Sequence, residues 1–148
     1  MKRQDPLQRR KPLKRKTPLR PRSRSDAARR RREALAEAVE AAREYWGGEV
    51  CLVTGRAPAE WHHAYPRSPH PQWRAKWWNL VPLSRRWHRL AQKATHWLHW
   101  ACREIADEVR AHSDGRRPPV TRDEAREIIR RHREAAEKPH ASPMGRAD

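Results

Sequence analysis

The distribution of positive charge is the feature that most constrains this chain. Residues 1–32 carry fifteen lysine or arginine side chains against two acidic ones, so +13 of the formal net charge of +17 lies there. Like charge at this density opposes compaction unless a polyanion neutralises it. A compact fold is therefore expected in the residues that follow, and the charge indicates nucleic acid as the partner.

The first two dozen residues also repeat a Pro-Leu step every six residues, with lysine and arginine filling the gaps. Proline interrupts regular helices and sheets, and like charges keep a chain extended. We predict a disordered basic arm over residues 1–24 that lies along phosphates, with Lys14, Arg15 and Lys16 among its contacts. A solubility tail is the alternative interpretation. A flexible tail is predicted over residues 137–148.

Three helices are predicted between these ends. Apolar residues keep helical spacing over residues 25–46 and from Ser84 to about His112. Thr121 followed by Glu124 forms a capping box for a last helix over residues 121–136. We expect residues 25–136 to form one domain.

Three short extended stretches predict a small hairpin within that domain. They cover residues 50–53, 61–65 and 80–83, and a Pro- and Arg-rich loop is predicted over residues 66–76. A hairpin between helices makes the expected fold class α+β, mostly helical.

Cysteine content and hydropathy exclude several classes of protein. Cys51 and Cys102 are too few for a disulfide framework or a zinc knuckle, so we expect reduced thiols and no structural zinc. The apolar runs are short and broken by charge, and none follows Met1. We therefore expect a cytoplasmic protein without a membrane partner.

The most informative residues are a histidine pair, the chain's one asparagine and a further histidine. His62-His63 is followed by Asn79 after fifteen intervening residues, and His88 follows Asn79 after eight. The chain has 28 arginines against 7 lysines and no phenylalanine, a bias typical of a GC-rich or heat-adapted source. Asparagine is depleted in heat-adapted proteins, so the one that is kept is expected to need its amide.

The segment from Cys51 to His88 resembles the HNH nucleases. That family has a His-His or Asp-His pair on a first strand, Asn-Leu opening a second strand, and His on the helix that follows. The matching residues are His62-His63, Pro66-Arg67-Ser68, Asn79-Leu80, Leu83 and His88. The run KPLKRKTPLR also resembles the basic arm of phage-encoded HNH proteins.

The resemblance implies a ββα-metal finger over about residues 50–112, embedded between flanking helices, and a metal-dependent DNA endonuclease. His63 would be the general base, and Asn79 would brace the loop and orient it. His62 and His88 would hold one divalent ion. Mg²⁺ or Mn²⁺ is expected, while Ni²⁺ or Zn²⁺ are possible because imidazole suits them better. Family members often have zinc-binding cysteines where this chain has Ser84 and Trp87.

Basic and aromatic residues surround this segment. Four arginines are candidate phosphate contacts, and solvated charges are the alternative interpretation: Arg67, Arg74, Arg85 and Arg86. Seven of the eight tryptophans lie between Trp61 and Trp100, where core packing is favoured over base stacking for most.

Four further polar side chains are weaker candidates for the site. His96 and His99 lie two or three helical turns beyond His88 on the predicted helix, so packing or surface roles are favoured for them. Gln92 lies one turn after His88, where it would contact an ion through water, and His70 lies in the loop.

Three functions remain open from the sequence. The first is a DNA endonuclease with little sequence preference, and the second is a non-catalytic DNA-binding or packaging accessory protein. The third is a nuclease for branched DNA or structured RNA. For a phage-encoded protein, a terminase or replication and recombination proteins are candidate partners in the host cytoplasm.

Overall fold

The computed structural model describes residues 26–138, in which helices pack around one small sheet. Helix α1 spans Asp26–Trp46. Strands β1 and β2 span Glu60–His63 and Leu80–Leu83. Helices α2, α3 and α4 span Arg85–Ala91, Trp97–Ser113 and Arg122–Glu137. The fold is α+β and mostly helical, as predicted.

The predicted basic arm falls outside the described residues. Lys14, Arg15 and Lys16 belong to it, and the predicted tail lies outside them from residue 139 onward.

Strands β1 and β2 pair antiparallel, with His62 opposite Val81 and His63 opposite Leu80. Every residue of β2 is buried. Its proline, Pro82, is tolerated because its carbonyl accepts from the amide of Leu52 (3.0 Å) on the side away from β1. The N and C=O of a strand residue face the same edge, so the missing N–H of proline costs no bond to β1.

The strand predicted over residues 50–53 is not formed. The Cys51 carbonyl instead accepts from the amide of Gly55 (2.8 Å), and the Cys51 amide donates to the carbonyl of Arg56 (3.0 Å). This closes a tight turn, in which Gly55 has a φ of +68°, a conformation that glycine adopts without strain. The predicted strand at 61–65 begins and ends earlier than expected, at Glu60 and His63.

The single long helix predicted from Ser84 to about His112 is also wrong, because the chain breaks between α2 and α3. His96 is the N-cap residue of α3, because its Nδ1 accepts from the amide of Leu98 (3.1 Å). His99 donates through Nδ1 to the carbonyl of Ala91 (3.0 Å). Side chains therefore satisfy polar groups that a continuous helix would have paired internally.

The start of α4 is anchored to the end of α1. The predicted capping box is confirmed: Thr121 accepts from the amide of Glu124 (3.1 Å), and Glu124 accepts from the amide of Thr121 (2.7 Å). The guanidinium of Arg122 donates to three carbonyls after or at the end of α1, those of Trp46, Gly48 and Val50 (2.6, 3.3 and 3.1 Å). These bonds satisfy carbonyls at and just after the C-terminal end of α1, which have no partner within that helix.

The tryptophans mostly pack, as predicted. Trp46 and Trp78 are buried in the core, and five others are partly buried against it. Trp100 is half exposed. Trp77 and Trp78 lie in a 3-10 turn, which buries only the second of them. Within residues 26–138, no helix combines the length and apolar character needed to cross a membrane.

Candidate active site

A cavity of about 330 Å³ lies where β1, the following loop, α2 and the start of α3 meet. We call it the histidine cleft. Its polar lining comes from His62, His63, Arg67, His88, Gln92 and His99. The three histidines that the resemblance assigns to one site, His62, His63 and His88, therefore line one cavity.

His62 is the most deeply buried of these imidazoles, with 4% of its surface exposed. Its Nε2 is buried and has no hydrogen-bond partner among the described residues. Burial, reinforced by the neighbouring histidines, lowers the pKa of His62 to about 3. The ring is therefore neutral near pH 7, and a buried polar nitrogen is left unsatisfied, which is a costly arrangement without a ligand.

His88 lies on α2 beside His62, with ring centroids 5.1 Å apart and planes at 75°. Its Nδ1 lies 2.8 Å from Oε2 of Glu60, the first residue of β1. A carboxylate only accepts hydrogen bonds, so Nδ1 carries the proton and a neutral His88 has its lone pair on Nε2. The side-chain nitrogen of Gln92 lies 3.4 Å from that Nε2.

Glu60 is the site residue that the sequence analysis missed. It fixes the orientation of His88, as carboxylates commonly do for metal-binding histidines. A signal was present, because Glu60 and His62 are two residues apart and so face the same side of a strand. The predicted strand began at Trp61, one residue too late to include Glu60.

His63 is half-buried and held by a single backbone contact. Its Nε2 donates to the carbonyl of Arg74 (3.0 Å), which leaves the lone pair on Nδ1. Burial lowers the pKa of His63, and the positive charges of Arg67 and Arg74 lower it further, against the opposing effect of the Arg74 carbonyl. The ring is therefore a neutral base at pH 7. The arginines favour that form, as expected, but burial is the larger cause.

Asn79 is fully buried and holds the loop that precedes it. Its side-chain oxygen accepts from the amide of Tyr65 (2.8 Å). Its side-chain nitrogen donates to the carbonyls of Tyr65 (3.1 Å) and Trp73 (3.2 Å). Trp73 precedes Arg74, whose carbonyl holds His63. Asn79 therefore fixes the backbone on which the orientation of His63 depends.

The four candidate arginines divide into two groups. Arg67 lines the histidine cleft. Arg74 does not line the cleft, but its carbonyl accepts from His63, and its Nε is buried without a partner among the described residues. Arg85 and Arg86, at the start of α2, are exposed and do not line the cleft, and Arg86 lies 5.7 Å from the centre of the Trp87 ring.

The other candidate histidines make structural contacts. His96 caps α3, and His70 stacks on Trp73 with centroids 4.6 Å apart. His99 is buried and bonded to the backbone, and it also faces the cleft. Among residues 26–138, no group of three or more His, Cys, Asp or Glu side chains is arranged to hold a metal ion.

The chain was compared with protein-family models, with curated proteins and with solved structures, and none of these comparisons gave a match.

Proposed function

We propose that this protein is a metal-dependent DNA endonuclease of the HNH type, with β1, β2 and α2 as its ββα-metal finger. One observation carries the proposal. Three of the imidazoles that line one cleft each direct a ring nitrogen away from its backbone or carboxylate contact: Nε2 of His62, which is buried without a partner among the described residues, Nε2 of His88, which lies 3.4 Å from Gln92, and Nδ1 of His63.

The two Nε2 atoms suit a single divalent ion. An ion would satisfy the buried, unpartnered Nε2 of His62. The rings of His62 and His88 lie next to each other, with centroids 5.1 Å apart, so these two residues would hold the ion together. With two protein ligands, the other coordination positions are left for water and phosphate oxygens, as a catalytic site requires.

The chain's own residues divide the work of phosphodiester hydrolysis. Water attacks phosphorus, its proton passes to Nδ1 of His63, and the bond from phosphorus to the leaving oxygen breaks. Arg74 orients His63 through its carbonyl, and Asn79 fixes that part of the loop. Arg67 contacts the phosphate from the cleft wall. A cation held by His62 and His88 would offset the charge developing on the phosphate and leaving oxygen.

The charge distribution supports a nucleic-acid substrate. The net charge of +17 attracts a polyanion, and the arginines around the cleft favour contacts to phosphates over contacts to bases. We therefore propose cleavage with little sequence preference.

The test is cleavage of supercoiled plasmid at low salt by the full chain, with Mg²⁺, Mn²⁺, Ni²⁺, Zn²⁺ or EDTA. We expect a divalent ion to support nicking, and we expect His63→Ala to lower the rate by about 10²- to 10⁴-fold, the usual contribution of a general base. DNA binding in EDTA should be unchanged in the variant. Absence of cleavage with every ion, together with intact binding, would favour the non-catalytic DNA-binding function instead.

A further inference from the structure

A second basic cavity lies on the other side of Arg74 from His63. Two adjoining cavities of about 300 and 410 Å³ separate the N-terminal half of α1 from residues 71–75, and Arg31 and Arg74 line both of them. Arg32 lines the first. We call this pair of cavities the arginine groove. Within the part of the chain that the structure describes, no acidic residue lines it.

The three arginines of the groove form no ion pair with an acidic residue among residues 26–138. Arg29, on the same helix, lies within 3.7 Å of Asp26 and 3.6 Å of Glu33. Within residues 26–138, by contrast, Arg31 and Arg32 form no ion pair, and the buried Nε of Arg74 has no hydrogen-bond acceptor. A buried guanidinium nitrogen without an acceptor is costly, so the groove is suited to an anion.

The planar guanidinium donors of arginine match the oxygens of a phosphate group. Arg74 also joins the groove to the histidine cleft, because its carbonyl holds His63 while its side chain lines the groove. A phosphate in the groove would therefore be bound by the residue whose carbonyl holds His63. A nucleic-acid strand carries closely spaced phosphates, so one strand can supply a phosphate to the groove and another to the cleft.

We infer that the arginine groove binds a backbone phosphate of the same nucleic acid that enters the histidine cleft, flanking the phosphate that reacts there. This inference rests on the proposed function for the identity of the reacting phosphate. It assigns Arg31 and Arg32 of α1 as binding residues, and it gives the side chain of Arg74 a role separate from that of its carbonyl. The substrate contact surface thus extends from the finger onto α1.

The test measures binding without cleavage, so it does not depend on whether the protein is a nuclease. The full chain binds a fluorescein-labelled 20-base-pair duplex in EDTA, and the dissociation constant is followed against NaCl concentration. Each phosphate contact adds about 0.9 to the slope of log K against log salt. We expect Arg31→Ala/Arg32→Ala to reduce the magnitude of that slope by up to about 0.9, the contribution of the one phosphate that the groove is inferred to bind.

Arg29→Ala/Arg30→Ala is the matched control, because it removes the same charge from the same helix and neither residue lines the groove. The control should change the salt slope by less than about half of the change seen in Arg31→Ala/Arg32→Ala. Equal changes in the two double variants would overturn the inference, because they would report only the loss of net charge. An unchanged slope in both would also overturn it and leave the groove to a ligand other than nucleic acid.

A second measurement tests whether the three arginines share one phosphate. Arg74→Ala is combined with each double variant, and the losses of affinity are compared. Residues that share one ligand are non-additive, whereas independent sites add. We expect Arg74→Ala to cost less affinity when Arg31 and Arg32 are already absent, and to add fully to the control. Additivity in both combinations would overturn the shared site. Thermal melting of each variant verifies that it is folded.

Discussion

Two histidine–carboxylate pairs of nearly equal geometry lie in different regions of this molecule. His88 on α2 lies 2.8 Å from Glu60 on β1, and His132 on α4 lies 2.7 Å from Glu104 on α3. The two imidazoles are similarly exposed, at 22% and 27% of their side-chain surface. A pair of this kind is therefore not by itself evidence of a catalytic site.

The surroundings of the two pairs differ. The ring of His88 lies against that of His62, whose buried Nε2 lacks a partner among the described residues. Glu104, by contrast, also accepts from the guanidinium of Arg131 (2.6 Å), so that pair belongs to a satisfied ionic network between α3 and α4. Unsatisfied polar atoms, rather than the histidine–carboxylate pair itself, therefore distinguish the candidate site from a structural contact.

The largest difference is expected when the histidine of each pair is removed. His88→Ala should lower the affinity for Ni²⁺ by more than about 100-fold, because it removes one of the two proposed ligands, and loss of a ligand's supporting partner alone costs about 10- to 100-fold. His132→Ala should leave the affinity within about twofold. Isothermal titration of the full chain with Ni²⁺ measures both. Similar losses in the two variants would mean that the ion is not bound in the histidine cleft.

Removal of the carboxylate of each pair should also affect Ni²⁺ binding only at the His88–Glu60 pair, but by less than removal of the histidine. Glu60→Ala frees His88 to rotate and to exchange tautomers, so we expect the Ni²⁺ affinity and the cleavage rate to fall by about 10- to 100-fold. Glu104→Ala is the control and should change neither, although it should lower the melting temperature by breaking contacts between α3 and α4. A Glu60→Ala variant with wild-type affinity would show that the carboxylate is dispensable for orienting His88.

Periodicity and capping rules predicted much of this fold. The α+β class and the helices now seen as α1 and α4 followed from local patterns, which succeed because spacing along a strand or helix fixes which side chains share a face. The expectation that His62, His63 and His88 share one site came instead from the resemblance to the HNH nucleases. The capping box at Thr121 is local in the same sense.

The predicted strand over residues 50–53 failed because backbone bonds close a tight turn there, and the predicted continuous helix failed because a side chain bonds to the backbone of another element. The break between α2 and α3 depends on His99 reaching the carbonyl of Ala91. The orientation of His63 depends on the carbonyl of Arg74, eleven residues away in an irregular loop. Such bonds depend on the path of the loop, which hydrophobic periodicity does not encode. Glu60 was missed because strand ends are set by pairing with a partner strand rather than by residue preference.

The smallest expected difference between the two regions concerns how the stability of the metal-free protein falls with pH. Burial lowers the pKa of His62 to about 3, so below pH 6.5 the unfolded chain takes up a proton that the folded chain does not. Stability is thus lost as the pH falls from 6.5 toward 3, by about 2 kcal/mol at pH 5. The pKa of the Glu104 carboxyl, which burial raises but His132 and Arg131 lower more strongly, lies below its ordinary value of 4.5. The contribution of Glu104 to the free energy of unfolding is therefore lost only below about pH 4.5.

Urea unfolding in EDTA at pH 7.5 and pH 5 measures how the free energy of unfolding depends on pH. The difference between the two pH values should be smaller in His62→Gln than in the wild type by about 2 kcal/mol. It should be unchanged in Glu104→Gln. If His62→Gln keeps the full pH dependence of stability, His62 is not held neutral by burial. The unpartnered Nε2 of His62 then no longer distinguishes the His88–Glu60 pair from the His132–Glu104 pair.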